Sequence, residues 1–187
     1  MTPLIEYLDR NNFLKLLPRT GWLLQGVRPC ESVADHTTAT ALLAVALAGE
    51  VNQAWAREGL AGPLDLGRVA LIALLHDVAE SILTDLPKRS AQLIGAQVKH
   101  TAEATALAAV VGDLAESATI QSLWGEYDES STPEARLVHD ADKLEMVHQA
   151  LRYEVAGHRN LGEFWEGPRW HYQASARLFA ALQAQRQ

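Results

Sequence analysis

Seven consecutive apolar residues, Val69 to Leu75, run straight into His76 and Asp77, with Glu80 and Asp85 close behind. No other stretch limits the possible folds of this chain as strongly. A segment apolar on nearly every side belongs at the centre of a protein, as a helix buried by its neighbours. Ionised carboxylates carried into such an interior need a partner, because burying a bare charge is costly. In a helix, His76 and Glu80 are four apart and Asp77 and Glu80 three apart, spacings that put side chains on the same side. A divalent cation would supply the missing compensation.

The rest of the chain reads as helical too. β-branched residues are scattered and clean alternation is absent, so the expected fold class is all-α. The spacing of apolar residues predicts helices over Leu4 to Leu17, Ser32 to about Arg57, Leu66 to Leu83, and about Ser90 to Leu114. Further helices are expected over about Ala115 to Tyr127, Pro133 to about Ala156, and from about Arg169 to residue 187. Ser32 or Asp35 can cap the second of these, Asp65 the third, and Thr132 the helix that opens on Pro133. On that last helix Leu137, Ala141, Leu144, Val147, Leu151 and Val155 form one stripe. "RTGWLLQGVRPCES" reads as a loop, and Gly157, Gly162 and Gly167-Pro168 punctuate another. With no repeat, low-complexity tract or linker, the 187 residues read as a single domain.

Charge narrows the function. Sixteen Lys and Arg stand against 23 Asp and Glu, a net charge of -7. That argues against a polymeric nucleic acid partner, which needs a basic footprint. It leaves room for a small anion, since one or two arginines can serve a phosphate. The single cysteine, Cys30, cannot form an intramolecular disulfide. The first residues lack the basic and apolar regions of a signal peptide, and no stretch reaches the roughly 18 apolar residues of a membrane span. A soluble cytoplasmic protein is the expectation.

Two distant residues give the His-Asp pair its meaning. "ESVADH" places His36 in the first turns of an apolar helix, and "RLVHDADKLEM" places Asp142 beside the stripe of another. Two imidazoles and two carboxylates suit one divalent ion such as Co, Mn, Zn, Fe or Mg.

The order His36, His76-Asp77, Asp142 resembles the signature of the HD-domain metal-dependent phosphohydrolases. "LPRTGWLL", "ESVADH", "LLHDVAESILTDLP" and "EYDESSTPEARLVHDADKLEM" are similar, in order, to blocks of the HD-domain 5'-deoxynucleotidases, both bacterial and the HD-domain-containing protein 2 group. The resemblance covers roughly Phe13 to Glu154, leaving a C-terminal helix outside it. It implies an HD-domain helical bundle and hydrolysis of deoxynucleoside 5'-monophosphates. By the same resemblance His36, His76, Asp77 and Asp142 hold the metal, and Glu80 acts on the attacking water. Asp85 lies at the sugar, and Arg19 holds the 5'-phosphate. Trp22 is the candidate against sugar or base; Thr20 and Gly21 separate it from the arginine, as in the eukaryotic group. Family members tend to be homodimers. A dinuclear phosphodiesterase or oxygenase site would need further histidines between the His-Asp pair and Asp142, where His100 and His139 lie. A non-catalytic nucleotide-binding protein is the other alternative, although every motif position is filled.

Overall fold

A computed structural model describes residues 2–167 and 169–186, and Pro168, an expected loop marker, lies outside the described residues. The fold is helical, as expected. Among the described residues the β-structure is a lone antiparallel bridge between Pro18 and Ser32.

Three helices form the centre: α3 (Val33–Gln53), α4 (Leu66–Leu75) and α9 (Pro133–Val155). Each begins at a side-chain cap. Ser32 Oγ accepts from the Asp35 backbone N–H while the Asp35 carboxylate accepts from Ser32 N–H, so both expected cap residues act together as a capping box. Asp65 accepts from Arg68 N–H, and Thr132 from Ala135 N–H. Fixing the start of α3 fixes where His36, in its first turn, points. The three helices bury Ala44, Ala48, Val51, Val69, Ile72, Leu137, Ala141 and Leu144 against one another. The expected stripe of α9 is real up to Leu151, but Val155 is 68% exposed because the helix runs past the core.

Around this centre stand α1 (Pro3–Asn12), α2 (Thr20–Leu24), α5 (Glu80–Leu83), α6 (Lys88–Ile94), α7 (Ala96–Val111), α8 (Ser117–Glu129) and α10 (Gln173–Gln183). Several bounds differ from expectation for identifiable reasons. The first helix stops at Asn12 and gives way to a 3-10 turn, Phe13–Lys15. The expected helix over 90–114 breaks at Gly95, whose φ of +83° a residue with a Cβ adopts at a cost. The last helix starts at Gln173 instead of Arg169. There the Asp140 carboxylate accepts from His171 and Tyr172 N–H, and Glu58 accepts from Gln173 and Ala174 N–H, which pins the entry. The expected loop over 19–32 contains α2, and its ends are tied by Arg19 N–H to Glu31 O and Val33 N–H to Leu17 O.

The largest departure lies between Leu66 and Leu83. Apolar periodicity predicts one helix from Leu66 to Leu83, but α4 ends at Leu75. Residues 76–79 are turns, and α5 resumes at Glu80. Val78 N–H reaches Leu75 O and Glu80 N–H reaches Asp77 O, the three-residue spacing of 3-10 winding. His76 Nδ1–H donates to Ala73 O at 2.7 Å, a side-chain bond to the backbone of the final α4 turn. In 3-10 winding, residues three apart eclipse, so Asp77 and Glu80 line up more closely than on an α-helix. Next, Thr84 takes φ +67° and ψ 167°, which turns the chain so that Asp85 points back toward Arg19.

Among the described residues no helix is long and apolar enough to cross a membrane.

Candidate metal centre

His36 from α3, His76 from the turn after α4, and Asp142 from α9 each offer a ligand atom, all within 4.8 Å of one another. His36 Nε2 is 3.1 Å from Asp142 Oδ1. Asp77 joins them: its Oδ2 is 3.1 Å from His76 Nε2 and 3.7 Å from His36 Nε2. The structure thus brings together all four residues expected to hold a metal.

The tautomers of the two imidazoles are set from behind. His36 Nδ1 lies 2.6 Å from Glu145 Oε2, and His76 Nδ1 donates to Ala73 O. Each ring therefore turns Nε2 toward the cluster. Both Nε2 atoms, and Asp77 Oδ2, are buried without a hydrogen-bond partner. Buried polar atoms are rarely left so. An N2O2 donor set that converges on one point, with three of its four members holding a partnerless buried atom, fits a borderline or hard divalent cation.

Glu80 stands at the start of α5, and its Oε2 is also buried and unpartnered. Burial first, then the Asp77 and Asp85 carboxylates, push its carboxyl well above the usual range. Arg19 lies beside the cluster, with Nη1 3.1 Å from Asp85 Oδ1 and 3.7 Å from Asp77 Oδ2. Burial works against its charge, but Asp77, Asp85 and Asp142 overrule it and keep the guanidinium protonated. Asp85 has both oxygens engaged: one on Arg19, the other accepting Thr20 N–H at 2.5 Å.

Trp22 is the exception. It is 1% exposed, packs on Tyr153 and Phe164, and its indole N–H donates to Glu31 at 2.8 Å. The structure does not bring it to the cluster; it anchors the loop that carries Arg19. His139 does not join either. Its Nε2–H donates to Tyr127 O, and its ring stacks on Tyr127 at 4.0 Å. His100 pairs with Asp128.

Three neighbours escaped the sequence reading: Glu145, Glu31 and Tyr127, whose hydroxyl donates to Asp142 Oδ2 at 3.2 Å. Glu145 carried a legible signal, since it sits three residues after Asp142 and so on the same side of α9.

The charges make the metal-free protein sensitive to pH. For His36, burial and then Arg19 disfavour the charged ring, but the Asp142 and Glu145 carboxylates lift it from 6.5 to about 10. Burial alone would raise Asp77; the His76 and His36 rings and Arg19 hold it down at about 2. A raised imidazole contributes stability in full below pH 6.5 and loses it as pH climbs through about 10. The melting temperature of chelator-treated protein is expected to fall across that window. Metal uptake should tighten over the same range, because the ion displaces the proton on Nε2. Melting curves recorded in chelator at stepped pH check this, and a flat profile would contradict it.

Comparison with known proteins identifies the fold. The HD-domain family model matches residues 12–175, and the chain belongs to the HD-domain family. It is 32% identical to a 5'-deoxynucleotidase of Schizosaccharomyces pombe, covering 88% of this chain and 80% of that protein. It is 30% identical to the human 5'-deoxynucleotidase HDDC2, covering 98% and 86%. A crystal structure from Pyrococcus horikoshii superposes with a TM-score of 0.77 at 37% identity, covering 97% of each chain.

Proposed function

We propose that this protein is a metal-dependent phosphohydrolase that converts deoxynucleoside 5'-monophosphates to deoxynucleoside and inorganic phosphate. One observation carries the reading: two unpartnered buried imidazole nitrogens converge with Asp77 and Asp142 beside a charged Arg19. The relatives named 5'-deoxynucleotidase supply the substrate class.

In this reading His36, His76, Asp77 and Asp142 hold one divalent ion, drawn from Co, Mn, Zn, Fe and Mg. Such an ion lowers the pKa of a water and polarises the phosphate. Arg19 binds the 5'-phosphate through charge-assisted hydrogen bonds and cancels part of its charge. Glu80 Oε2 accepts a proton as the water oxygen bonds to phosphorus. The bond from phosphorus to the 5'-oxygen breaks, and the 5'-oxygen takes up the proton that Glu80 received, which returns the carboxylate to its starting state. Asp85 fixes Arg19 and Thr20 and lies beside the sugar. Trp22 supports the Arg19 loop from the core instead of touching base or sugar.

Stripped protein given Co, Mn or Mg should release phosphate from deoxynucleoside monophosphates. Silence on every common deoxynucleoside monophosphate with each of these ions would overturn the reading. Replacing Asp85 with Asn removes a charge-assisted bond worth about 1.5–3 kcal/mol, so KM should rise about 10- to 100-fold. It should also narrow the preference for deoxyribose. Parallel kinetics on deoxy- and ribonucleotides measure both effects.

The same reading takes the enzyme as a cytoplasmic homodimer. Leu4 and Leu8 of α1 (66% and 65% exposed) give it an apolar face toward solvent. Light scattering at micromolar concentration tests the dimer, and a monomer mass would remove it.

A further inference from the structure

We infer that Glu145 is a positioning residue for the metal, acting through His36. The inference rests on the metal reading above and assigns a task to a buried acid that the hydrolysis scheme leaves unused.

An ionised carboxylate can only accept hydrogen bonds. Glu145 Oε2 lies 2.6 Å from His36 Nδ1, so that nitrogen keeps a proton, and Nε2, on the side of Asp77 and Asp142, is the nitrogen left to bind a cation once its own proton is displaced. Without Glu145 the neutral ring could place its proton on Nε2 and turn a ligand into a donor. His76 solves the same problem differently, with the carbonyl of Ala73 in its own helix. His36 depends on a side chain 109 residues away.

Burial sharpens the point. The His36 side chain is wholly buried and that of Glu145 is 6% exposed. A second acid stands close by. Glu31, His36 and Glu145 each offer an atom within 4.8 Å of the others, while Trp22 Nε1–H donates to Glu31. Two carboxylates in one buried spot cost stability, and a neutral residue at 145 would cost less. The arrangement makes sense if the carboxylate orients a ligand and raises its basicity, as outer partners of metal-bound histidines do. Glu145 also rides on α9, the helix that supplies Asp142. One helix therefore delivers a direct ligand and sets the orientation of another, so its seating against α3 governs both.

The test uses the full chain and no nucleotide. Cobalt is titrated into stripped wild type, Glu145→Gln and Glu31→Gln, with visible absorption as the readout. Glu145→Gln keeps the size but loses the charge and the acceptor-only character. Its cobalt dissociation constant is expected to rise about 10- to 100-fold, with shifted ligand-field bands and unchanged far-ultraviolet circular dichroism. Glu31→Gln neutralises the neighbouring acid without touching that hydrogen bond, and should stay within about threefold of wild type. Equal affinity and spectrum for Glu145→Gln would overturn the proposal, as would an equal loss in Glu31→Gln, which would mark a general charge effect. Nitrogen-15 spectra of the zinc-loaded wild type give a readout independent of how any variant folds. His36 should show a protonated Nδ1 and a metal-bound Nε2, and the reverse would overturn the proposal. Wild type that takes up neither metal would instead bring down the metal reading itself.

Discussion

Alanine at position 77 is expected to cut phosphate release by about 10³-fold or more and to abolish tight metal uptake. Asp77 Oδ2 is the atom that His36, His76 and Arg19 share, at 3.7, 3.1 and 3.7 Å. Its loss removes a ligand and leaves a buried guanidinium with less counter-charge. The metal supplies several kcal/mol of transition-state stabilisation, and about 1.4 kcal/mol is a factor of ten. Breaking one partner out of a buried charged cluster also costs about 3 kcal/mol of stability, so the metal-free variant should melt earlier. Cobalt titration, phosphate release and thermal melting measure the three consequences. A variant that keeps metal and activity would remove Asp77 from the ligand set.

Glutamine at position 80 should separate chemistry from binding. The expected loss is about 10²- to 10⁴-fold in kcat, the range for a positioned proton acceptor, with cobalt affinity close to wild type. Stability should move the other way. Burial, followed by Asp77 and Asp85, raises the Glu80 carboxyl above 4.5. A carboxyl raised on folding contributes its stability below the unfolded value and loses it as pH climbs beyond. Glutamine does not titrate, so metal-free Glu80→Gln should match wild type near pH 4 and melt higher at neutral pH. Such an exchange of activity for stability is the usual mark of a group placed for chemistry. Melting both proteins in chelator across that interval checks the sign, and a variant that melts lower at pH 7 would contradict it.

The four converging residues proposed as ligands were legible in the sequence because each breaks a local rule. His36, His76, Asp77 and Asp142 interrupt apolar helices where a polar group needs a partner, and that conflict is visible without coordinates. The break between Leu75 and Glu80 was not legible. Apolar spacing runs through residues 76–79 unchanged, and the shift to tighter winding comes with a bond from His76 to Ala73 O. Trp22 was a candidate only through the family resemblance. Its place in the fold is set by contacts the local sequence does not show, with Glu31, Tyr153 and Phe164. Glu145 offers only a spacing in the sequence, three residues after Asp142. Only the seating of α9 against α3, a contact between distant parts of the chain, buries it. Local chemistry thus announced the residues that converge on one point, while the residues behind them depend on tertiary packing.

Thr84 has a consequence for directed evolution of this protein. A β-branched residue at φ +67° and ψ 167° stores strain of about 1–3 kcal/mol, just where the chain turns Asp85 back onto Arg19. Libraries selected for heat resistance alone should enrich glycine at position 84, which adopts that backbone freely. The same change would loosen the pivot that aims Asp85 and, through it, the guanidinium. Thermostable clones from such a selection would keep their helices and gradually lose their grip on phosphate. A campaign that alternates heat challenge with a turnover screen would keep the threonine.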